Sequence, residues 1–248
     1  MKLHKIHPIV MGSKVFDKSM MTYQYGMGET FTIPIFCWYV EGGDKRVLID
    51  TGEMHPIQSR ERQDAIGGPI YNFEQGLALY GLTPDDIDIV IHTHLHADHC
   101  ENDYKCSNAR FFIHEKELQR IHDPHPLDYR YLEDYILEIE ENNQIIVVRG
   151  DTEILPGIQV VHTPVHTDGG LTLLIETTRG TAAITGFCTI QENFDPPPEI
   201  RGMEMDLIPP GTHVDVYRAY DIMADIRDRA DILIPLHEPA YARIRTIG

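Results

Sequence analysis

The sequence predicts an α+β protein that folds as a single domain over residues 1–248. Short apolar runs typical of strands follow one another along the chain as if paired antiparallel, with a few helical segments between them, and this arrangement is typical of α+β proteins. The length fits one large domain or two small ones, but no linker or low-complexity segment divides it. We therefore expect one domain with a substantial buried core.

The first half of the chain contains strand patterns separated by short turns. Residues 33–53 read as two strands around the turn Glu-Gly-Gly-Asp-Lys, and the second half of 54–81 reads as a short helix. Pro84 suits the first position of a helical turn, and a buried strand follows directly. Residues 110–122 read as a strand running into a helix, and 123–135 as a loop rich in aromatic residues.

The second half repeats the pattern and ends on a helix and a strand. Residues 144–164 read as strand, turn and strand, and 171–187 as two strands that pair around Thr-Arg-Gly. Residues 231–239 read as a last buried strand. The segment 213–230 is predicted to be a helix because its apolar residues recur at helical spacing, at Val216, Tyr220, Met223 and Ile226.

The charge and composition exclude several classes of function. The net charge is −18, so nucleic acid and anionic membranes are disfavoured as partners. No apolar run approaches the roughly 20 residues that span a bilayer, and the first residues lack the apolar centre of a signal peptide. We expect a cytoplasmic protein, in which the cysteines are thiols rather than disulfides: Cys37, Cys100, Cys106 and Cys188.

The segment Ile-Val-Ile-His-Thr-His-Leu-His-Ala-Asp-His-Cys-Glu-Asn, residues 89–102, concentrates metal-binding side chains where a buried strand ends. His94 and His96 are two residues apart, so they point the same way on an extended segment. Asp98 and His99 follow on the turn. Imidazoles that converge with a carboxylate suit Zn²⁺ or a similar divalent ion. The segment alone offers too few ligands for two metals.

Two further strand ends supply the missing ligand types. His166 follows the apolar run that ends at 161, and His237 closes the run at 232–236. A lone histidine is more often structural, but these two come in order after the first cluster. Asp50 adds a carboxylate at yet another strand end. The sequence therefore predicts one metal site assembled from several strand ends.

The motifs Leu-Ile-Asp-Thr-Gly, His-Thr-His-Leu-His-Ala-Asp-His, Thr-Pro-Val-His-Thr and Ile-Pro-Leu-His-Glu-Pro, in this order, resemble the metallo-β-lactamase superfamily over about residues 33–240. Within it, residues 33–52 and the Gln-Glu-Asn-Phe at 191–194 look most like the N-acyl-homoserine lactonase branch. The resemblance implies a four-layer αββα sandwich whose metals lie in the cleft at one edge of the paired sheets.

The resemblance also implies a role for each matching residue. The first metal would be held by His94, His96 and His166, and the second by Asp98, His99 and His237. Asp50 would fix a ligand or its loop without binding metal, while His92 and His162 would be structural. The implied cofactor is Zn²⁺, as one or two ions, with Fe or Mn as alternatives.

The sequence departs from the family pattern after residue 176. The superfamily normally has Gly-Asp near 186–187, where the aspartate bridges both metals, but no carboxylate occurs here between Glu176 and Glu192. The tyrosine that the lactonases carry just after it is replaced by Thr189 or Ile190. Cys188 is close enough to replace the aspartate as a ligand of the second metal; the alternative is a small buried residue that only packs.

The predicted function is a metal-dependent hydrolase that opens a small lactone with a metal-activated hydroxide, while Asp98 holds the hydroxide and later passes a proton to the leaving group. The alternatives are hydrolysis of an amide, lactam or thioester, and an iron-binding redox protein. The partner would be a small-molecule substrate, and the resemblance is compatible with a homodimer. Candidate pocket walls are Tyr129, Tyr131, His125 and the loop 20–28, although these are equally compatible with ordinary loop aromatics.

Overall fold

Two facing β-sheets form the centre of the computed structural model, which describes residues 2–248. The first sheet contains six strands that neighbour one another in chain order: β1 (Lys5–Asp17), β2 (Thr30–Glu41), β3 (Val47–Ile49), β4 (Ile89–Ile91), β5 (Arg110–His114) and β6 (Ile145–Val148). The second sheet has the spatial order β11-β10-β9-β8-β7, with the strands β7 (Thr152–Leu155), β8 (Ile158–His162), β9 (Leu171–Thr177), β10 (Gly180–Ile184) and β11 (Ile232–Ile234).

Helices connect the strands. They are α1 (Arg60–Ile66), α2 (Phe73–Ala78), α3 (Ala97–Cys100), α4 (Glu115–His122), α5 (Leu137–Glu141), α6 (Gln191–Phe194), α7 (Pro198–Arg201) and α8 (Val216–Arg229). Short 3₁₀ turns lie at Lys18–Met20, Pro84–Asp86, Asp103–Lys105, Glu133–Tyr135 and Pro239–Arg243. The longest helix, α8, begins where the Asp215 side chain accepts a hydrogen bond from the backbone N–H of Arg218, which is a standard N-cap.

Apolar residues fill the space between the sheets and the space outside each of them. Trp38 and Ile91 from the first sheet meet Leu173 and Ile184 from the second in the central core. A second cluster packs α2, α4 and α5 against the outer face of the first sheet. Ile226 of α8 packs against the outer face of the second. The predicted four-layer αββα sandwich and the α+β class are confirmed.

The strand directions bring the predicted site residues to one edge. Strands β3 to β6 are parallel, and β10 is parallel to β11. Strand β8 pairs antiparallel with β9, and β9 with β10, so β8 also runs in the direction of β10. The chain therefore leaves β3, β4, β8, β10 and β11 at corresponding ends, where ligands bind in sheets of this kind.

The structure differs from the sequence-based expectation in three places. The long strand β1 and the helix α1 were not predicted. Residues 144–164 form three strands instead of two, because the turn at 149–151 sends β6 to one sheet and β7 to the other. The strand pattern had suggested antiparallel neighbours, but the connections through helices make most of the first sheet parallel. No helix within residues 2–248 is long and apolar enough to cross a membrane.

Candidate metal centre

Three histidines come together at the common edge of the two sheets. His94 and His96 lie on the loop between β4 and α3, and His166 lies on the loop after β8. All three are buried. Their ligand atoms lie within 4.8 Å of one another, and Nδ1 of His96 is 3.1 Å from Nε2 of His166. Three neutral imidazoles at this spacing form a donor set that suits Zn²⁺ or a similar ion.

Hydrogen bonds fix the orientation of the rings. His166 Nδ1 donates to the backbone carbonyl of Thr212 at 3.1 Å, and His237 Nδ1 donates to the carbonyl of Pro34 at 3.0 Å. These bonds assign the ring proton to Nδ1, so Nε2 is unprotonated and can bind a metal. Such contacts are the usual companions of metal-binding histidines. The site residues therefore fit a metal ion.

Asp50 orients His99 from below the site. Asp50 adopts a left-handed backbone conformation (φ 57°), and its side chain is fully buried. The carboxylate accepts hydrogen bonds from Thr93 N (2.8 Å), Thr93 Oγ1 (2.7 Å) and His99 Nδ1 (2.8 Å). Burial would raise its pKa, but the neighbouring His99 and His92 lower the pKa of Asp50 to about 2. The carboxylate is therefore ionised and holds both the loop and His99.

Burial keeps most of the imidazoles neutral. It lowers the pKa of His94 and His166 well below the ordinary value, with neighbouring histidines acting in the same direction, and it lowers that of His237 to about 4. The pKa of His96 is also lowered, again chiefly by burial. A neutral imidazole is the form that binds metal, so proton competition at neutral pH is weak.

All seven predicted ligands line one small cavity: His94, His96, Asp98, His99, His166, Cys188 and His237. Within residues 2–248, His94, His96 and His166 form the one tight triplet of candidate ligand atoms. Asp98, His99 and His237 line the same space. We call this space the inner cavity.

A wider cavity of about 510 Å³ opens above the inner cavity. Asp98, Arg130 and Thr212 line both. The walls of this outer cavity are largely apolar and come from Phe16, Met20, Leu127, Tyr129 and Leu132, and Lys14 and Glu101 also line it. Of the predicted pocket walls, Tyr129 and Met20 lie here. Tyr131 instead packs on His96, with ring centroids 4.7 Å apart, and His125 is exposed and outside the lining.

The family profile of the metallo-β-lactamase superfamily matches residues 31–235. The chain belongs to the metallo-β-lactamase superfamily. The predicted resemblance is thereby confirmed, and the relatives point to the same branch. An N-acyl homoserine lactonase of Bacillus cereus is 26% identical over 225 residues, which cover 84% of this chain and 85% of that protein. The N-acyl homoserine lactonase AiiB of Agrobacterium fabrum is 25% identical over 195 residues, or 71% of each chain.

Solved structures of the superfamily share the fold. A mutant of Bacillus thuringiensis AiiA with N-decanoyl-L-homoserine bound at its active site superimposes with a TM-score of 0.75 at 22% identity, covering 96% of this chain and 94% of the other. An N-acyl homoserine lactone hydrolase carries its product N-hexanoyl-L-homoserine at the catalytic metal centre, and its TM-score is 0.74 at 23% identity over 96% of this chain and 94% of that one.

Cys188 occupies the place where this chain departs from the superfamily pattern. Its Sγ lies 3.3 Å from Nε2 of His166, beside the first triplet, whereas the sequence had placed it with the second. Burial raises the pKa of the Cys188 thiol to about 12, although the nearby Arg130 opposes this. Thiols bind metal as thiolates, and the ion itself drives the deprotonation.

His92 and His162, which were predicted to be structural, lie outside the candidate metal centre. His92 is buried between carboxylates, 2.8 Å from Asp103 and 3.4 Å from Asp50. His162 stacks on His114, with centroids 4.1 Å apart, and donates to the carbonyl of Asp168. Neither lines the inner cavity.

Glu117, which no motif in the sequence had indicated, links the two loops that carry the histidine triplet. Its buried carboxylate accepts hydrogen bonds from the backbone N–H of Leu95 (2.8 Å), from that of Gly169 (3.1 Å) and from the Tyr131 hydroxyl (2.9 Å). Leu95 lies between His94 and His96, and Gly169 follows the third histidine. One sequence signal was available: Glu117 is four residues before the apolar Ile121, on the same face of α4.

Arg130 and Asp128 were missed as well. Arg130 Nε donates to Asp128 Oδ1 at 2.7 Å, and the other carboxylate oxygen lies 3.2 Å from Nε2 of His96. The aromatic loop 123–135 was predicted to contribute tyrosines to the pocket, but its charged residues also reach the metal centre. No periodicity or motif in the sequence indicates Arg130 and Asp128, because their position depends on how the loop 123–135 packs against α3.

Proposed function

We propose that this protein is a metal-dependent hydrolase that opens small lactones, with N-acyl homoserine lactones as the substrate class to test first. The observation that carries the proposal is the convergence of His94, His96 and His166 with Asp98 at the floor of an apolar-walled cavity. The names of the relatives at 25–26% identity support the same class of reaction.

The proposed ligands of the first metal are His94, His96 and His166. For a second metal we propose the ligands Asp98, His99 and His237. We propose Cys188 as a further ligand of this second metal. The contact of 3.3 Å between Cys188 and His166 supports a position from which the thiolate reaches a metal. Zn²⁺ suits this mixture of imidazole, carboxylate and thiolate, with Fe or Mn as the alternatives.

When bound, the metal supplies a Lewis acid and lowers the pKa of water toward about 7. The protein's own contribution begins with Asp98, which faces both cavities. Its carboxylate would accept a proton from the attacking water and later return it to the ring oxygen as the lactone opens. Asp50 and Glu117 hold the loops, so that this geometry exists before the substrate arrives.

The outer cavity fits a substrate with an apolar arm. A volume of about 510 Å³ lies within the range of ordinary small-molecule pockets. Apolar side chains form most of the wall, and the net charge of −18 disfavours polyanionic substrates such as phosphodiesters of nucleic acid. We further propose that residues 1–248 act as one domain; the cytoplasmic location and the homodimer stay predictions.

A substrate panel tests the proposal. Purified protein is assayed with a pH indicator against N-acyl homoserine lactones, a simple δ-lactone, a β-lactam, a thioester and a phosphodiester, and the metal content is measured on the same sample. The lactones should be opened fastest, and removal of metal with a chelator should abolish the reaction. Faster turnover of the thioester, β-lactam or phosphodiester would replace the lactonase assignment with that activity.

A further inference from the structure

Arg130 stands where the inner and outer cavities meet. Among residues 2–248, it is the one arginine or lysine that lines both. Lys14, the other cation of the outer cavity, is paired at 2.6 Å with Glu53. The guanidinium is therefore the positive group that a substrate in the outer cavity meets when one end of it approaches the histidine cluster.

The position of Arg130 is fixed at two points. Its side chain is held by the 2.7 Å hydrogen bond from Nε to Asp128. Its backbone carbonyl accepts a hydrogen bond of 2.9 Å from the N–H of Ala97, directly beside His96. The backbone of Arg130 is thus bonded to the segment that carries His94 and His96, and its guanidinium is held by Asp128. A donor that is fixed before the reaction needs little reorganisation during it.

One of the remaining donors of Arg130 faces the histidine cluster. Nη1 lies 3.4 Å from Nε2 of His166, an atom that the proposed function assigns to the metal. Nη2 has no hydrogen-bond partner within the described residues. The Thr189 hydroxyl is occupied, because it is buried against Thr185 and the carbonyl of Phe187, and Ile190 is apolar. Thr212 lines both cavities and its hydroxyl has no hydrogen-bond partner in the described part of the chain, but it is uncharged, so Arg130 is the stronger donor toward a negative oxygen.

We infer that Arg130 is a catalytic residue that donates hydrogen bonds to the carbonyl oxygen of the substrate. This inference rests on the proposed lactonase function. In that reaction the oxygen of water bonds to the carbonyl carbon, and the π electron pair moves onto the carbonyl oxygen. The pair then re-forms the double bond as the ring C–O bond breaks. One proton of the water goes to the leaving alcohol, and the other is lost from the new carboxylic acid. Arg130 stabilises the negative carbonyl oxygen between these two events.

The test compares Arg130→Gln and Arg130→Lys with wild type, using protein carrying its co-purified metal. For Arg130→Gln we expect kcat on an N-acyl homoserine lactone to fall about 100-fold, the loss typical of one oxyanion donor. The metal content should stay unchanged. The ring-opened product, whose carboxylate occupies the same place, should bind about tenfold more weakly by calorimetry. The Lys variant should retain part of the rate.

Chemical rescue separates a catalytic from a structural role. Guanidinium chloride at millimolar concentration should restore activity to Arg130→Ala, and sodium chloride at the same ionic strength should not. Arg149→Gln, which alters an exposed arginine paired with Glu115, is the matched control and should behave as wild type. If wild type opens lactones but Arg130→Gln keeps its kcat and product affinity, or loses its metal in step with kcat, this inference is wrong. If wild type opens no lactone, the proposed function itself fails.

Discussion

Replacing Glu117 with glutamine removes a charge from a buried side chain that holds the metal centre together. In the native protein one carboxylate oxygen accepts from Leu95 N–H and the Tyr131 hydroxyl, and the other accepts from Gly169 N–H. The glutamine oxygen can keep only one of these sets. If it keeps Leu95 and Tyr131, its NH₂ group faces the N–H of Gly169, and two buried donors are left without an acceptor.

The size of the effect follows from that loss. A buried donor without a partner costs about 1–3 kcal/mol, so we expect Glu117→Gln to lower the free energy of unfolding of the metal-free protein by about 3 kcal/mol. Because Leu95 and Gly169 belong to the loops that carry the histidines of the triplet, metal affinity should also fall, by about 10–100-fold. Urea denaturation measures the first quantity, and metal titration with a competing chelator measures the second.

A control on the same helix makes the result interpretable. Glu115 forms an ion pair with Arg149 at the surface, so Glu115→Gln should change the unfolding free energy by less than about 0.5 kcal/mol. Tyr131→Phe removes one of the three bonds to Glu117 and should cost about 1 kcal/mol. If Glu117→Gln matches the Glu115 control in both stability and metal affinity, Glu117 does not position the site and the reasoning from its contacts is refuted.

Three further predictions concern the metal and pH. His166→Ala should remove most of the bound metal and abolish turnover, as measured by metal analysis and the lactone assay; full activity would exclude the proposed first site. Cobalt-substituted protein should show a thiolate-to-metal charge-transfer band that Cys188→Ala lacks, and its absence from the parent would make Cys188 a packing residue. Hydrogen bonds to Glu133 and, less strongly, to Glu140 raise the pKa of His122 above its ordinary value. The stabilisation of the folded protein that results is only about 0.5 kcal/mol, because these side chains are partly exposed. It is present below about pH 6.5 and is lost as the pH rises through the raised pKa. Thermal melts of wild type and His122→Asn should therefore converge at alkaline pH, and a constant difference between them would contradict this linkage.

The sequence predicted the parts of the site that carry a local pattern. His94 and His96 follow a buried strand at a spacing of two, and His166 and His237 close two other apolar runs, so each could be found without knowing the fold. The αββα architecture followed from the resemblance that these motifs carry. The strand β1 was missed because its first residues mix apolar and basic side chains, although most of its length is buried against neighbouring elements.

The residues that the sequence did not reveal act through contacts between distant segments. Glu117 lies in a helix whose sequence, Glu-Lys-Glu-Leu-Gln-Arg-Ile-His, is mostly polar, and a glutamate there is usually exposed to solvent. Arg130 belongs to a loop without periodicity. The contact between Cys188 and His166 joins residues that follow two different strands. Such partners depend on how loops from separate strands meet, and no spacing within one segment encodes that.

Hydrogen bonds from other segments of the chain orient three of the proposed metal ligands, so these ligands are ordered before a metal binds. The carbonyl of Thr212 orients His166, the carbonyl of Pro34 orients His237, and Asp50 orients His99. These anchors need no metal to form. Since burial also keeps the pKa of His166 and His237 low, those rings present neutral nitrogens before the ion arrives. Metal binding therefore has little ordering or deprotonation of these rings to drive, and we expect the metal-free protein to remain folded, in contrast to small domains that fold only when metal binds.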